Sequence, residues 1–253
     1  MKIILSPAKN LNEQVCENYG SFFPLFEKEA NQLMKDLKKM KKVGLKELMD
    51  ISMDLAEQNF TRNKEWKKAS LHPEKAFPAV SVFDGEVYRA LSVTTLGSSK
   101  NEALNKDLRI LSGLYGILKP FDLIYPYRLE MGTKFSPKTE QKNLYEFWGE
   151  KVTKALKKEM DKDEVIINLA STEYFKVIRQ NLLKNRVITP IFKEFKNGQF
   201  TTVMMYAKHA RGAMARYLIE NQLSDIEELK LYNVDGYGYN ELQSTKDEWV
   251  FIR

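Results

Sequence analysis

The sequence predicts an α+β chain of mixed α/β character, folded as a single domain over residues 1–253. Three observations carry this. Apolar residues recur at helical spacing in some segments and form short strand-like runs in others. An Asn-Gly pair joins two such runs as a hairpin, so antiparallel neighbours are expected. No linker rich in Pro, Gly and Ser divides the chain, and no internal repeat is present. Helices and strands are therefore interleaved around one core. A hydrophobic content of 43%, with 14 Phe, 12 Tyr and 3 Trp, makes that core aromatic-rich and excludes a disordered chain.

The elements follow in order. "KIIL" at residues 2–5 is a short apolar strand ended by "SPAKN". Phe26, Ala30, Leu33, Met34, Leu37 and Met40 form a helical stripe. Lys35, Lys38, Lys39 and Lys42 lie off it and read as a solvated face. Val43 to Phe60 reads as one or two further helices, and "AFPAVSVF" as a buried strand ending at Asp84-Gly85. Ser99 precedes Glu102 at capping-box spacing and starts a helix expected to run to Leu111. Asn143 and Glu146 repeat the spacing before a helix faced by Leu144, Phe147, Trp148, Val152, Ala155 and Leu156. "EVIINLAS" is a strand entering a helix near Thr172. "RVITPIFKEF", "NG" and "QFTTVMMYA" form the hairpin, because Asn-Gly suits the positive φ values of a type I′ turn. The helix "AKHARGAMARYLIEN" follows, and turn and strand signals alternate to "EWVFIR".

Composition narrows the function classes. Cys16 is the single cysteine and His72 and His209 the only histidines, so no internal disulfide forms and zinc has few soft ligands. No metal site and no cofactor are expected. The apolar run near the N-terminus is too short for a signal peptide, and no stretch approaches the ~20 apolar residues of a membrane span. A cytoplasmic monomer without membrane contact is the expectation. The net charge of +6 is unevenly placed. From Tyr217 to Arg253, three Lys/Arg face eight Asp/Glu, a net of −5, so the preceding residues carry +11. A basic body suits a polyanion partner, and reads equally as a lysine-rich solvated surface.

Four features carry candidate chemistry. In "LRILSGLYGILKPFDLIYPYRLEMG", Leu108 to Gly132, an amphipathic helix meets Gly113 and Gly116 and then Lys119, Arg128 and Glu130. One reading is a helix-hairpin-helix over about residues 102–125, whose turn aims backbone N–H groups at a phosphate. The other is a helix C-cap with Gly113 at C′ and a packed turn. "SPAK", Ser6 to Lys9, matches the Ser-x-x-Lys nucleophile motif, but the companion Ser-Asp-Asn and Lys-Thr-Gly elements are absent. A loop offering Lys9 to a ligand fits better. Lys208 and Arg211 share a helix face, while Ala210, Gly212, Ala213 and Ala215 leave room for a close neighbour or a ligand. Glu130, Glu173 and Asp84 are candidate acids or bases, with no spacing that ties them to a partner. No catalytic residue is assigned.

"SPAK", "FDGEVYRAL", the Leu108–Gly132 stretch, "LYEFWG", "NLASTEYFK" and "YAKHARGAMARYLIEN" fall in order along the chain. Together they resemble the YaaA family of bacterial peroxide-stress proteins. The resemblance implies the family's own "cantaloupe" fold, a helix-hairpin-helix and a positively charged DNA-binding cleft. It also implies a role in limiting iron-driven DNA damage. It supplies no reaction. On charge and position, Lys9, Gly113, Gly116, Lys119, Arg128, Lys208 and Arg211 are the expected contacts to double-stranded DNA. The alternative is an enzyme acting on a nucleotide or small anionic substrate, with Ser6, Glu130 and Glu173 in the same pocket.

Overall fold

Lys2–Leu5 forms an interior strand of the main sheet, buried on both faces as parallel strands are. The computed structural model describes residues 1–14, 19–20, 22–137 and 140–253; Cys16 lies outside them. Lys2–Leu5 pairs in parallel with Leu108–Ser112 on one side and Ile166–Asn168 on the other. Ile166–Asn168 pairs in parallel with Val187–Lys196, which pairs in parallel with Glu248–Ile252. Antiparallel strands close the two sides, Gly116–Leu118 beside Leu108–Ser112 and Gly238–Tyr239 beside Glu248–Ile252. Gln199–Thr201 folds back on Val187–Lys196 and completes eight strands. The mixed α/β expectation holds.

Several local signals translate directly. Asn197 and Gly198 both take positive φ, 53° and 80°, at the hairpin turn. Asn143 caps its helix, its side-chain oxygen accepting the Glu146 N–H at 3.0 Å. Val43–Phe60 resolves into two helices, Lys42–Met49 and Met53–Glu65. Their short turn runs through Asp50 at φ 50° to the N-cap Ser52.

Other expectations are corrected. "AFPAVSVF" is two short strand pieces, Phe77–Pro78 and Phe83–Asp84, around a turn of helix. "QFTTVMMYA" leaves the hairpin after Thr201, and the helix Met204–Asn221 has begun by Met204. The Ser99 capping box does not form, and the helix spans only Asn101–Asp107. The main correction follows it. Leu108–Ser112 and Gly116–Leu118 are strands of a hairpin, so residues 102–125 are not a helix-hairpin-helix. The reason is tertiary. Leu108–Ser112 lies against Lys2–Leu5 with all five residues buried, where a near-continuous apolar run fits a strand.

This arrangement takes two cations into the interior. Arg109 lies within 2.6 Å of Glu159 and donates to the carbonyls of Asn105 and Leu108. Lys2 donates to the Lys106 carbonyl at 2.7 Å. Burial lowers the Lys2 pKa, against the attraction of Glu164. On one face of the sheet, Met204–Asn221 crosses the short helix Glu86–Leu91 at backbone distance. A Cβ on Gly212 would stand 1.9 Å from the Val87 carbonyl oxygen. The small residues of that helix therefore serve close packing.

Candidate functional site

The carboxyl ends of the parallel strands gather most of the predicted pocket residues, a common place for ligands in such sheets. Ser6 follows the strand Lys2–Leu5, and Ser171 follows the neighbouring strand Ile166–Asn168. The Ser171 backbone N–H donates to the Ser6 hydroxyl at 2.9 Å, which ties the two loops together. The Ser6 carbonyl accepts from the Tyr88 hydroxyl at 2.8 Å. Ser171 also caps the helix Thr172–Phe175, which carries Glu173 and Tyr174.

The charged groups meet above this seam. Lys9 reaches the Glu130 carboxylate at 2.8 Å, and Arg128 donates to its other oxygen at 3.0 Å. Glu173 accepts the Gly132 N–H at 2.8 Å and pins the end of the same segment. Pro7, Ala8, Tyr127, Leu129 and Tyr174 complete a recess of about 10 Å³, room for about one water. Arg128 is nearly buried at 11% side-chain exposure, and its Nε has no hydrogen-bond partner among the described residues. Two cations face two carboxylates, so the cluster is close to neutral.

Three phenols lie beneath. Burial pushes the Tyr174 hydroxyl well above its usual pKa, with further upward shifts from Tyr127, Glu173 and Glu130. Burial does the same for Tyr88 and Tyr127. All three are protonated at neutral pH, and Tyr127 shares a 2.6 Å hydrogen bond with Ser112. These tyrosines, and Ser171, were not legible as site residues. Each sits in a motif that reads equally well as core.

Ser6, Lys9, Arg128, Glu130 and Glu173 are thus brought together. Ser6 and Lys9 do not form a nucleophile pair, because the Lys9 ammonium is held by Glu130. The other predicted contacts lie elsewhere. Gly113 and Gly116 are buried, packed against the Leu129 carbonyl and the Trp148 ring. Their backbone is closed to a phosphate in this fold. Lys119 stands 3.7 Å from Glu159 beside a second cavity of about 200 Å³, lined by Phe22, Arg109 and Asp122. Lys208 is exposed. Arg211 has no carboxylate partner among the described residues, and burial lowers its pKa. Among the described residues, no three His, Cys, Asp or Glu side chains are grouped to hold a metal ion. Among them too, no helix is long and apolar enough to cross a membrane.

Of the four lysines expected on a solvated face, Lys38 is only partly exposed. Lys38 donates to the Trp66 carbonyl at 2.7 Å, and Lys64 donates to the Lys38 carbonyl at 2.8 Å. Burial lowers the Lys38 pKa, and the nearby Lys64 and Lys67 ammonium groups lower it further. None of the three is paired with a described carboxylate.

Fold and site define a single-domain mixed α/β protein with a polar recess at the carboxyl ends of its parallel strands and a separate lysine cluster. Comparison with known proteins gives the family. The family described as "Peroxide stress protein YaaA" matches residues 1–243. A UPF0246 protein of Flavobacterium johnsoniae is 48% identical over the full length of both chains. UPF0246 proteins of Neisseria meningitidis serogroup A and Psychrobacter cryohalolentis are each 44% identical, over all of this chain and 98% of theirs. The chain belongs to the peroxide stress protein YaaA (UPF0246) family, which supports a role in peroxide stress.

Proposed function

We propose that this protein binds DNA without sequence preference during peroxide stress and so limits iron-driven damage to it. The observation that carries the reading is the cluster of Lys38, Lys64 and Lys67. Lys38 and Lys64 are tied together by backbone hydrogen bonds with no carboxylate partner among the described residues; burial first, and then Lys64 and Lys67, lower the Lys38 pKa. A polyanion suits such a cluster, and phosphate contacts carry no sequence information. The proposed contact surface thus shifts from the buried Gly113 and Gly116 to the C-terminal ends of the helices Glu27–Leu37 and Met53–Glu65, where Lys38, Lys64 and Lys67 lie. Lys208 and Lys9 are exposed as well, Lys9 in an ion pair with Glu130.

Fluorescence anisotropy of a labelled duplex at several salt concentrations tests this. Binding should fall steeply with salt, and Lys64→Ala with Lys67→Ala should flatten the log–log slope by up to about 2. An unchanged slope would remove both lysines from the interface.

A second reading is favoured by one observation. Glu130 occupies two cations as a ligand carboxylate or phosphate would, beside the unpartnered Arg128 Nε. A small anion that displaces Glu130 would open the recess. Inorganic pyrophosphate at millimolar concentration should then raise the melting temperature of the wild type and leave Arg128→Met unmoved. No shift in the wild type would dismiss this reading.

A further inference from the structure

The hairpin that follows the parallel strands extends beyond the sheet. Val187–Lys196 pairs with Ile166–Asn168 only at Val187 and Ile188, and with Glu248–Ile252 over Thr189–Lys193. The Phe195 N–H still donates to the Arg253 carbonyl at 2.8 Å; beyond that bond the only described strand partner is Gln199–Thr201, so the tip is a two-stranded ribbon. On one face of this ribbon, Phe195 and Phe200 stand directly opposite each other. Their ring centroids are 5.2 Å apart, and they are 62% and 37% exposed. Just beyond, the helix Met204–Asn221 begins with Met204, Met205 and Tyr206, all exposed. Apolar surface gathered on a projecting element marks an interaction site.

The charges around it indicate the partner. Between residues 193 and 211 the one carboxylate is Glu194, against Lys193, Lys196, Lys208 and Arg211. Glu194 is already neutralised by Arg253, which bonds both of its oxygens. Neither Lys196 nor Lys208 has a carboxylate partner among the described residues. A second copy of the chain would bring these same cations face to face. A nucleobase strand matches both parts of the surface, because its bases stack on aromatic rings and its phosphates meet the lysines.

We infer that the hairpin tip is a stacking surface for unpaired bases, so that the nucleic acid preferred is single-stranded or locally opened DNA. The inference rests on the DNA reading above and specifies its partner. In an intact duplex the base faces are buried, and only the phosphates would be available to this surface.

The test compares a labelled oligo-dT strand with a duplex of equal length, at one salt concentration, by anisotropy. The proteins are the wild type, Phe195→Ala with Phe200→Ala, and Phe195→Tyr with Phe200→Tyr. Both rings are exposed, so the variants should fold, which circular dichroism checks. The alanine variant should lose about tenfold or more in affinity for the single strand. It should keep its duplex affinity and its salt slope, and the tyrosine variant should bind like the wild type. Equal single-strand affinity in wild type and alanine variant would overturn the stacking surface while leaving DNA binding in place. Binding of neither nucleic acid at low salt would overturn both readings. Sedimentation showing a wild-type dimer that the alanine variant loses would assign the surface to self-association and overturn the inference.

Discussion

Gly113→Ala should cost on the order of 3 kcal/mol or more and lower the melting temperature by roughly 6–12 °C. An added Cβ would lie 2.2 Å from the Leu129 carbonyl oxygen and about 3 Å from the carbonyl carbons of Leu129 and Glu130. These are backbone atoms, so no rotamer change removes the clash. The turn is also fixed from the other side, because the Gly113 carbonyl accepts the Trp148 indole N–H at 3.0 Å. Relief must come from moving the segment that carries Arg128 and Glu130, so the site shifts with the fold. Gly44→Ala is the contrast. Gly44 sits inside the helix Lys42–Met49, and its Cβ would meet only the Met40 methyl at 3.5 Å. Alanine there should add about 0.5–1 kcal/mol through helix propensity. Thermal unfolding followed by circular dichroism separates the two. A Gly113→Ala protein that melts like the wild type would show that the Leu129 contact is not tight.

That contrast explains what was legible in the sequence. The Asn197-Gly198 turn, the Asn143 cap and the strand Lys2–Leu5 are set by residues within a few positions, and these were read correctly. The stretch from Leu108 to Leu118 was not. Its apolar residues suit a buried helix or a buried strand, and the choice is made by Ile3, Ile4 and Leu5, about 100 residues away. Gly113 and Gly116 then looked like turn residues shaped for a phosphate. Their constraints are Leu129 and Trp148, neither of which is a sequence neighbour.

The site divides in the same way. Arg128 and Glu130 are two residues apart and were visible as a charged pair in apolar surroundings. That Lys9 would close on Glu130 depends on the strand Lys2–Leu5 delivering "SPAK" to the sheet edge. The joining of Ser6 to Ser171 depends on two strands being neighbours. The lysine cluster is not legible in sequence because Lys38 caps the end of one helix while Lys64 and Lys67 lie at the end of another. The packing of Lys38 on Trp66 and the Lys64 bond to the Lys38 carbonyl bring them together. The candidate sites of this chain therefore combine groups that are separated in sequence and carried by short local elements.

Asp122→Asn should make the protein more stable at pH 8, with the advantage shrinking as pH falls from 7 and vanishing near pH 4. Asp122 is a buried carboxylate beside the second cavity. Burial pushes its pKa up to about 7, against the lowering effects of the Lys119 N–H and of Lys119 and Arg109. In the unfolded chain the group ionises near pH 4. Between these values the unfolded state releases a proton that the folded state keeps, so rising pH favours unfolding. The stability linked to the neutral form is fully present below about pH 4 and lost as pH passes 7. At about 1.4 kcal/mol per pKa unit, the loss approaches 4 kcal/mol. Asparagine retains the acceptor for the Lys119 N–H, a 2.8 Å bond in the wild type, and carries no charge to bury. Every other titrating group is common to both proteins and cancels in the difference. Melting temperatures of the pair from pH 4 to pH 8 therefore isolate this one carboxyl. A constant difference across that range would mean Asp122 is ionised in the fold, and that Arg109 and Lys119 compensate for its burial.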